Sequence, residues 1–230
     1  PRGSRVSGEV TLIDGVDGAV GHLVRTASEL FASPGFSPAA LVGGLAVTMR
    51  LATVHRATND VDAVTDGERP REVALKLAVA GHAIADAGRN RIEIDGVKVD
   101  VMATSPLPTD RADLPDGELD RLFVLGHRWA LETAEVIRVR ITRADGSEVQ
   151  PGEELPVATI PGLVACKFHA IADRRPSRRE KQESDALDLV RLIGDLVRAP
   201  ALVDRFASAP FDLAALVARQ TDTWMVAGAT

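Results

Sequence analysis

The order of apolar and polar positions along the chain divides it into two kinds of territory. Up to about residue 158, short apolar runs and strict alternations interleave with helical periodicities. From Pro161 onward the pattern is helical throughout. Leu23 to Phe31 reads as a helix stopped by Ser33-Pro34-Gly35. Ala39 to Val42 is a wholly apolar run before Gly43-Gly44, as expected of a buried strand, and Leu45 to Leu51 follows as a helix. Asn59 to Val64 alternates as a second strand. Glu72 to Ala87 reads as a helix capped by Gly88. Arg91 to Ala103 carries the clearest hairpin signal: Ile92 and Ile94 alternate, Asp95-Gly96 turns, and Val97, Val99 and Val101 alternate again.

Thr104 to Asp120, rich in Pro and Asp, reads as a loop. Val136 to Thr142 is a further strand, turned at Asp145-Gly146, and Gln150 to Glu154 is a candidate domain junction. Leu163 to Asp173 and Ser184 to Val197 are the main C-terminal helices, with shorter ones at Ala201 to Ala207 and Leu213 to Gln220. Pro1-Arg2-Gly3-Ser4 reads as the stub of a cleavable tag. The expected architecture is therefore α+β: a mixed-sheet core over residues 5–155 and a helical C-terminal subdomain over 156–230.

Composition narrows the chemistry. Of 230 residues only 3% are aromatic, with no Tyr, so the core is aliphatic and base-stacking platforms are scarce. A net charge of −6 argues against a general nucleic-acid coat, though a local basic patch can still hold RNA. One cysteine, Cys166, excludes an internal disulfide and fits a reducing, cytoplasmic setting. No apolar run reaches membrane-spanning length. The five histidines lack zinc-site spacing, and no nucleophile-elbow motif is present.

The candidate chemistry lies in two segments. Gly43-Gly44 sits between a strand and a helix, where glycine either marks a tight turn or lets a phosphate approach backbone N–H groups at a helix start. Asp60-Val61-Asp62 places two carboxylates on one strand face, which reads either as a polar face or as a cation site. Asp100, on the outgoing hairpin strand, lies on the face opposite Val97, Val99 and Val101 and could supply a third carboxylate. In the C-terminal half, Lys167 falls inside the apolar stripe of Leu163, Val164, Ala170 and Ile171, so it must snorkel or meet an anion. Helical spacing puts Asp185 with Leu189, Leu192 and Leu196 on a buried face, and Asp188 with Arg191 and Asp195 on a solvated one. Arg174, Arg175, Arg178, Arg179 and Lys181 crowd one interhelical loop, either a solvated turn or an RNA contact. Arg138 and Arg140 extend that patch or face solvent. Cys166 beside Lys167 reads as a small buried residue, with an activated thiol as the alternative.

Taken together, Gly43-Gly44-x-Ala46 followed by Arg56-x-Thr58-x-Asp60-Val61-Asp62 resembles the nucleotidyltransferase superfamily, and more narrowly the AbiEii-type toxins with the MenT group. The segment Lys167 to Arg174 and then Asp185-Ala186-Leu187-Asp188-Leu189 resembles the family's second signature, although Ser184 stands where a basic residue is common. The motifs cover roughly residues 38–64 and 157–193. The resemblance implies a polymerase-beta-like fold and transfer of a nucleoside monophosphate from a nucleoside triphosphate. It implies Asp60 and Asp62 as ligands for Mg²⁺, or alternatively Mn²⁺, and Gly43, Gly44, Arg56 and Lys167 as nucleotide contacts. Asp100 or Asp185 would position or deprotonate the acceptor. The implied acceptor is a tRNA 3′ end, and the implied role is the toxin of a toxin–antitoxin pair with a cognate antitoxin protein. Alternative readings are a small-molecule acceptor of aminoglycoside type, a protein acceptor, and a non-catalytic nucleotide-binding module.

Overall fold

The computed structural model describes residues 6–15, 18–33, 36, 38–67, 83–86, 91–173 and 179–226. Eight strands form one mixed sheet in the order β1-β7-β8-β2-β3-β6-β5-β4. They are β1 (Gly8–Ile13), β2 (Ala39–Val42), β3 (Asp60–Asp66), β4 (Ala83–Asp86), β5 (Arg91–Ile94), β6 (Val97–Thr104), β7 (Glu135–Thr142) and β8 (Glu148–Val157). The described helices are α1 (Ala19–Ala32), α2 (Gly43–Leu51), α3 (Glu118–Glu132), α4 (Ile160–Asp173), α5 (Arg179–Arg198), α6 (Pro200–Asp204) and α7 (Leu213–Thr221). None of them is long and apolar enough to cross a membrane.

All four residues of β2 are buried, which is why that strand reads as an unbroken apolar run. It pairs antiparallel with β3, and β3 pairs parallel with β6, so that Asp62 lies directly opposite Asp100. The β5–β6 hairpin turns where expected, with Asp95 and Gly96 both at positive φ (49° and 79°), the geometry of a type I′ turn. Helix α3 packs on β3 and against α4, while α4 and α5 pack against α2 and each other. The C-terminal helices are thereby fastened over the carboxylate-bearing strands. Phe168 of α4 is fully buried at this junction.

Four expectations differ from what is observed. Gln150 to Glu154 is not a break but part of β8. Pro151 and Gly152 fall where the β7–β8 register shifts, a bulge that tolerates residues otherwise read as breakers. Residues 83–86, expected within a helix, form β4, and the rest of the Glu72–Gly88 segment lies outside the described residues, as does Pro1 to Ser4. The loop after Thr104 ends at Glu118, where the amphipathic helix α3 begins. Helix α5 starts at Arg179, five residues before the Ser184 expected, so Arg179 and Lys181 are helical.

Replacing Phe168 by alanine is expected to lower unfolding free energy by about 3–5 kcal/mol, the usual cost of emptying a large buried site. A chemical denaturation curve measures it.

Candidate active site

The site begins where β2 turns into α2. Gly43 has φ +70°, and a Cβ built on it would lie 1.9 Å from Asp62 Oδ2. A Cβ on Gly44 would lie 2.5 Å from Arg56 Nη2. Both glycines are therefore required by neighbours: one makes room for a carboxylate and the other for a guanidinium.

Asp60 and Asp62 project from the same face of β3, and Asp100 joins them from β6. One carboxylate oxygen from each lies within 4.8 Å of the others. Asp100 is clamped by Arg91, whose Nε and Nη2 donate to its two oxygens at 2.6 and 2.5 Å. Asp60 receives Lys181 Nζ at 3.2 Å. Burial first, and Asp60 second, push the Asp62 carboxyl up to about 7, against the opposing pull of Lys167. Three hard oxygen donors in a cluster, with one of them so reluctant to ionise, suit a divalent cation of the Mg²⁺ class.

Behind the cluster lies a buried charge network. Asp188 has 0% exposure and accepts from Arg56 Nε at 2.8 Å, Arg56 Nη2 at 2.6 Å and His55 Nε2 at 2.7 Å. Lys167 Nζ lies 2.7 Å from both Asp188 Oδ2 and Asp185 Oδ1. Burial works to raise Asp188, but Arg56, Lys167 and His55 overcome it and hold the carboxyl at about 2. Burial likewise opposes the Lys167 ammonium, and Asp185 and Asp188 outweigh it, so the amine is held charged.

The solvated placement expected for Asp188 is thus corrected. Asp185, Asp188, Leu189, Leu192 and Leu196 fall at i, i+3, i+4, i+7 and i+11, one stripe of α5, and the whole stripe is buried. Polarity disguised it: a wholly enclosed carboxylate is legible only once its donors are in view. Lys167 meets anions rather than snorkelling. Burial pushes the Cys166 thiol up to about 12, which rules out the activated-thiol alternative.

Gly44, Arg56, Asp60, Asp62, Arg91, Lys98, Asp100, Lys167, Lys181 and Asp185 all line one polar cleft of about 620 Å³. Arg91, Lys98 and His55 were not singled out from the sequence. Alternation on β5 and β6 could have found the first two, whereas nothing local marks His55. Of the basic segment, Lys181 reaches the cleft, and Arg179 pairs with Glu183 on an exposed face. Arg174, Arg175 and Arg178 lie outside the described residues. Arg138 and Arg140 pair with Glu154 and Glu9 on neighbouring strands, away from the cleft.

The family model for the nucleotidyl transferase AbiEii toxin of type IV toxin–antitoxin systems matches residues 27–215, which include every carboxylate and cation of this cleft. The chain belongs to the AbiEii family. It is accordingly a nucleotidyltransferase, and its fold of helices on a mixed sheet is the one expected. Among solved structures, antibiotic-resistance factor ANT(2″)-Ia in solution is similar at 18% identity and TM-score 0.43, over 84% of this chain and 94% of that one. ANT(2″)-Ia in complex with adenylyl-2″-tobramycin is similar at 17% identity and TM-score 0.42, over 84% of this chain and 99% of that one. No curated protein matches the sequence significantly.

Three outcomes follow for this AbiEii member. Gly43→Ala forces Asp62 aside and strains the backbone. It should cost at least about 1 kcal/mol in a thermal melt and weaken cation binding. Asp188→Ala takes from Arg56 and His55 their shared carboxylate and from Lys167 one of its two, and should cost about 3–5 kcal/mol by the same measurement. Without a cation, Asp62 is raised in the folded state, so this group loses stability as pH climbs from its ordinary 3.8 through about 7. A bound cation removes that loss. The rise in melting temperature on adding Mg²⁺ should therefore be larger at pH 8 than at pH 5.5.

Proposed function

We propose that the chain is a toxin that moves a nucleoside monophosphate from a nucleoside triphosphate to the 3′-terminal hydroxyl of a tRNA, with pyrophosphate leaving, Mg²⁺ as the resident ion and a cognate antitoxin restraining it. The observation that carries this reading is the cluster of Asp60, Asp62 and Asp100 in a cleft that Arg56, Arg91, Lys98, Lys167 and Lys181 also line, in a chain of this family. An ion held by these three carboxylates would offset the charge of the phosphate oxygens.

The chain's own residues do the rest by positioning and by fixed charge. Lys181 and Lys98 stand on the cleft wall to receive the β- and γ-phosphates, and Gly44 offers the start of α2. Lys167, held charged by Asp185 and Asp188, presents a fixed positive charge beside the carboxylates. Arg56, held by Asp188 through two hydrogen bonds, keeps a fixed positive charge on the cleft wall as a nucleotide contact. Asp100, immobilised by Arg91, serves as a third ion ligand. That leaves Asp185, which lines the cleft, to position the acceptor hydroxyl and take its proton. In this reading residues 5–155 form the catalytic core and 156–230 a helical subdomain that supplies Lys167 and Asp185.

The test is incubation with each α-labelled nucleoside triphosphate, Mg²⁺ and total RNA, beside Asp60→Ala/Asp62→Ala. Label should enter tRNA-sized species and fall by at least about 10²-fold in the variant. Label absent from RNA, but transferred to a cationic drug or a protein, would move the acceptor to those classes while keeping the chemistry.

A further inference from the structure

The carboxylates of Asp62 and Asp100 are shared between two cavities. A second cavity of about 290 Å³ adjoins them, walled by Met102 of β6, His127 of α3, and Leu163, Cys166 and Ala170 of α4. It shares Asp62, Asp100, Lys167 and Asp185 with the polar cleft, so the reacting centre stands between two chambers. Their charges differ. Arg56, Arg91, Lys98 and Lys181 line only the first chamber. Apart from the shared groups, the charged residue on the wall of the second is Asp173, which repels phosphate.

This division sorts a nucleoside triphosphate by its own chemistry. The polyanionic tail belongs with the cations, the reacting α-phosphate at the carboxylates, and an uncharged heterocycle against apolar walls. A volume near 290 Å³ lies at the small end of ligand sites, which run to about 300–1,000 Å³, and suits one ring system rather than an RNA terminus. The wall is also prepared for a polar edge. His127 Nδ1 donates to the Phe123 carbonyl at 2.9 Å, and burial, with His169, pulls the imidazole down to about 4. The ring is therefore neutral, and its Nε2 is an acceptor. Phe123 and His169 pack on it at centroid distances of 4.5 and 5.4 Å, which fixes its plane.

We propose that this second cavity seats the nucleobase of the incoming nucleoside triphosphate, with Met102 and Ala170 against its faces and His127 accepting from a base N–H. The proposal rests on the nucleotidyl-transfer reading of the carboxylate cleft and adds a base-selecting chamber to it. His127 is then a specificity-determining residue.

Equilibrium binding with Mg²⁺ tests it, using the four nucleoside triphosphates and inorganic tripolyphosphate as separate probes. Ala170→Phe and Met102→Trp each fill the cavity from a different wall. Each should weaken nucleoside triphosphate binding by about 10-fold or more, the worth of one stacked base, and leave tripolyphosphate binding within about two-fold. His127→Phe keeps the ring and removes the acceptor, so it should change the ranking among the four bases. Unchanged nucleotide affinity in both filled variants would overturn the proposal, as would equal loss of tripolyphosphate. Intact nucleotide binding with lost RNA labelling would assign the cavity to the acceptor and equally overturn it. If tripolyphosphate bound the unaltered protein and Asp60→Ala/Asp62→Ala equally well, the reading of the cleft itself would fall, and the base chamber with it.

Discussion

A carboxylate cut off from water must be surrounded by donors, and the site is organised around one such group. Asp188 holds Arg56 and His55 from the segment entering β3, and Lys167 from α4, while it sits on α5 itself. Two segments, one of them more than a hundred residues away in sequence, meet on its two oxygens. Without them, the cost of an unpaired buried charge would exclude this packing. With them, α4 and α5 are tied to each other and to the segment that follows α2. That arrangement aims Lys167 at the cleft, fixes Asp185 beside it and encloses the chamber beyond.

The front of the site answers the opposite problem. Asp60, Asp62 and Asp100 are like charges brought together by strand register, and their mutual repulsion is relieved only in part by Arg91 and Lys181. The fold tolerates this because the β2–α2 turn has no side chains: Gly43 yields its space to Asp62, and Gly44 to Arg56. The diglycine thus connects the two charge systems. The front gathers three carboxylates, and the back is a set of buried charges paired with one another.

Much of this was legible from residue order. The apolar run Ala39–Val42, the hairpin around Asp95-Gly96 and the face shared by Asp60 and Asp62 follow from periods of two and from turn chemistry, which are local. The pairing of Asp100 with Asp62 followed from alternation plus an assumed neighbour. Asp188 was misplaced because a helical wheel ranks residues by polarity, and a charge enclosed by other charges looks like a surface one. Helix α3 and strand β1 were not read although each is patterned, because α3 begins inside a Pro- and Asp-rich segment and β1 is short; residues 83–86 were read as helix and form β4. The glycines were expected to serve a phosphate, and what they first serve is a pair of side chains from another element.

The sequence by itself determined the fold class, the family motifs and the carboxylates that share a strand face, because each rests on spacings of a few residues along one element. Tertiary structure alone decided that Lys167 and Arg56 converge on Asp188, that Lys181 belongs to the cleft, and that an apolar chamber lies behind the carboxylates. Those facts depend on which elements pack together, and burial energy and charge pairing settle that across separations of up to 133 residues.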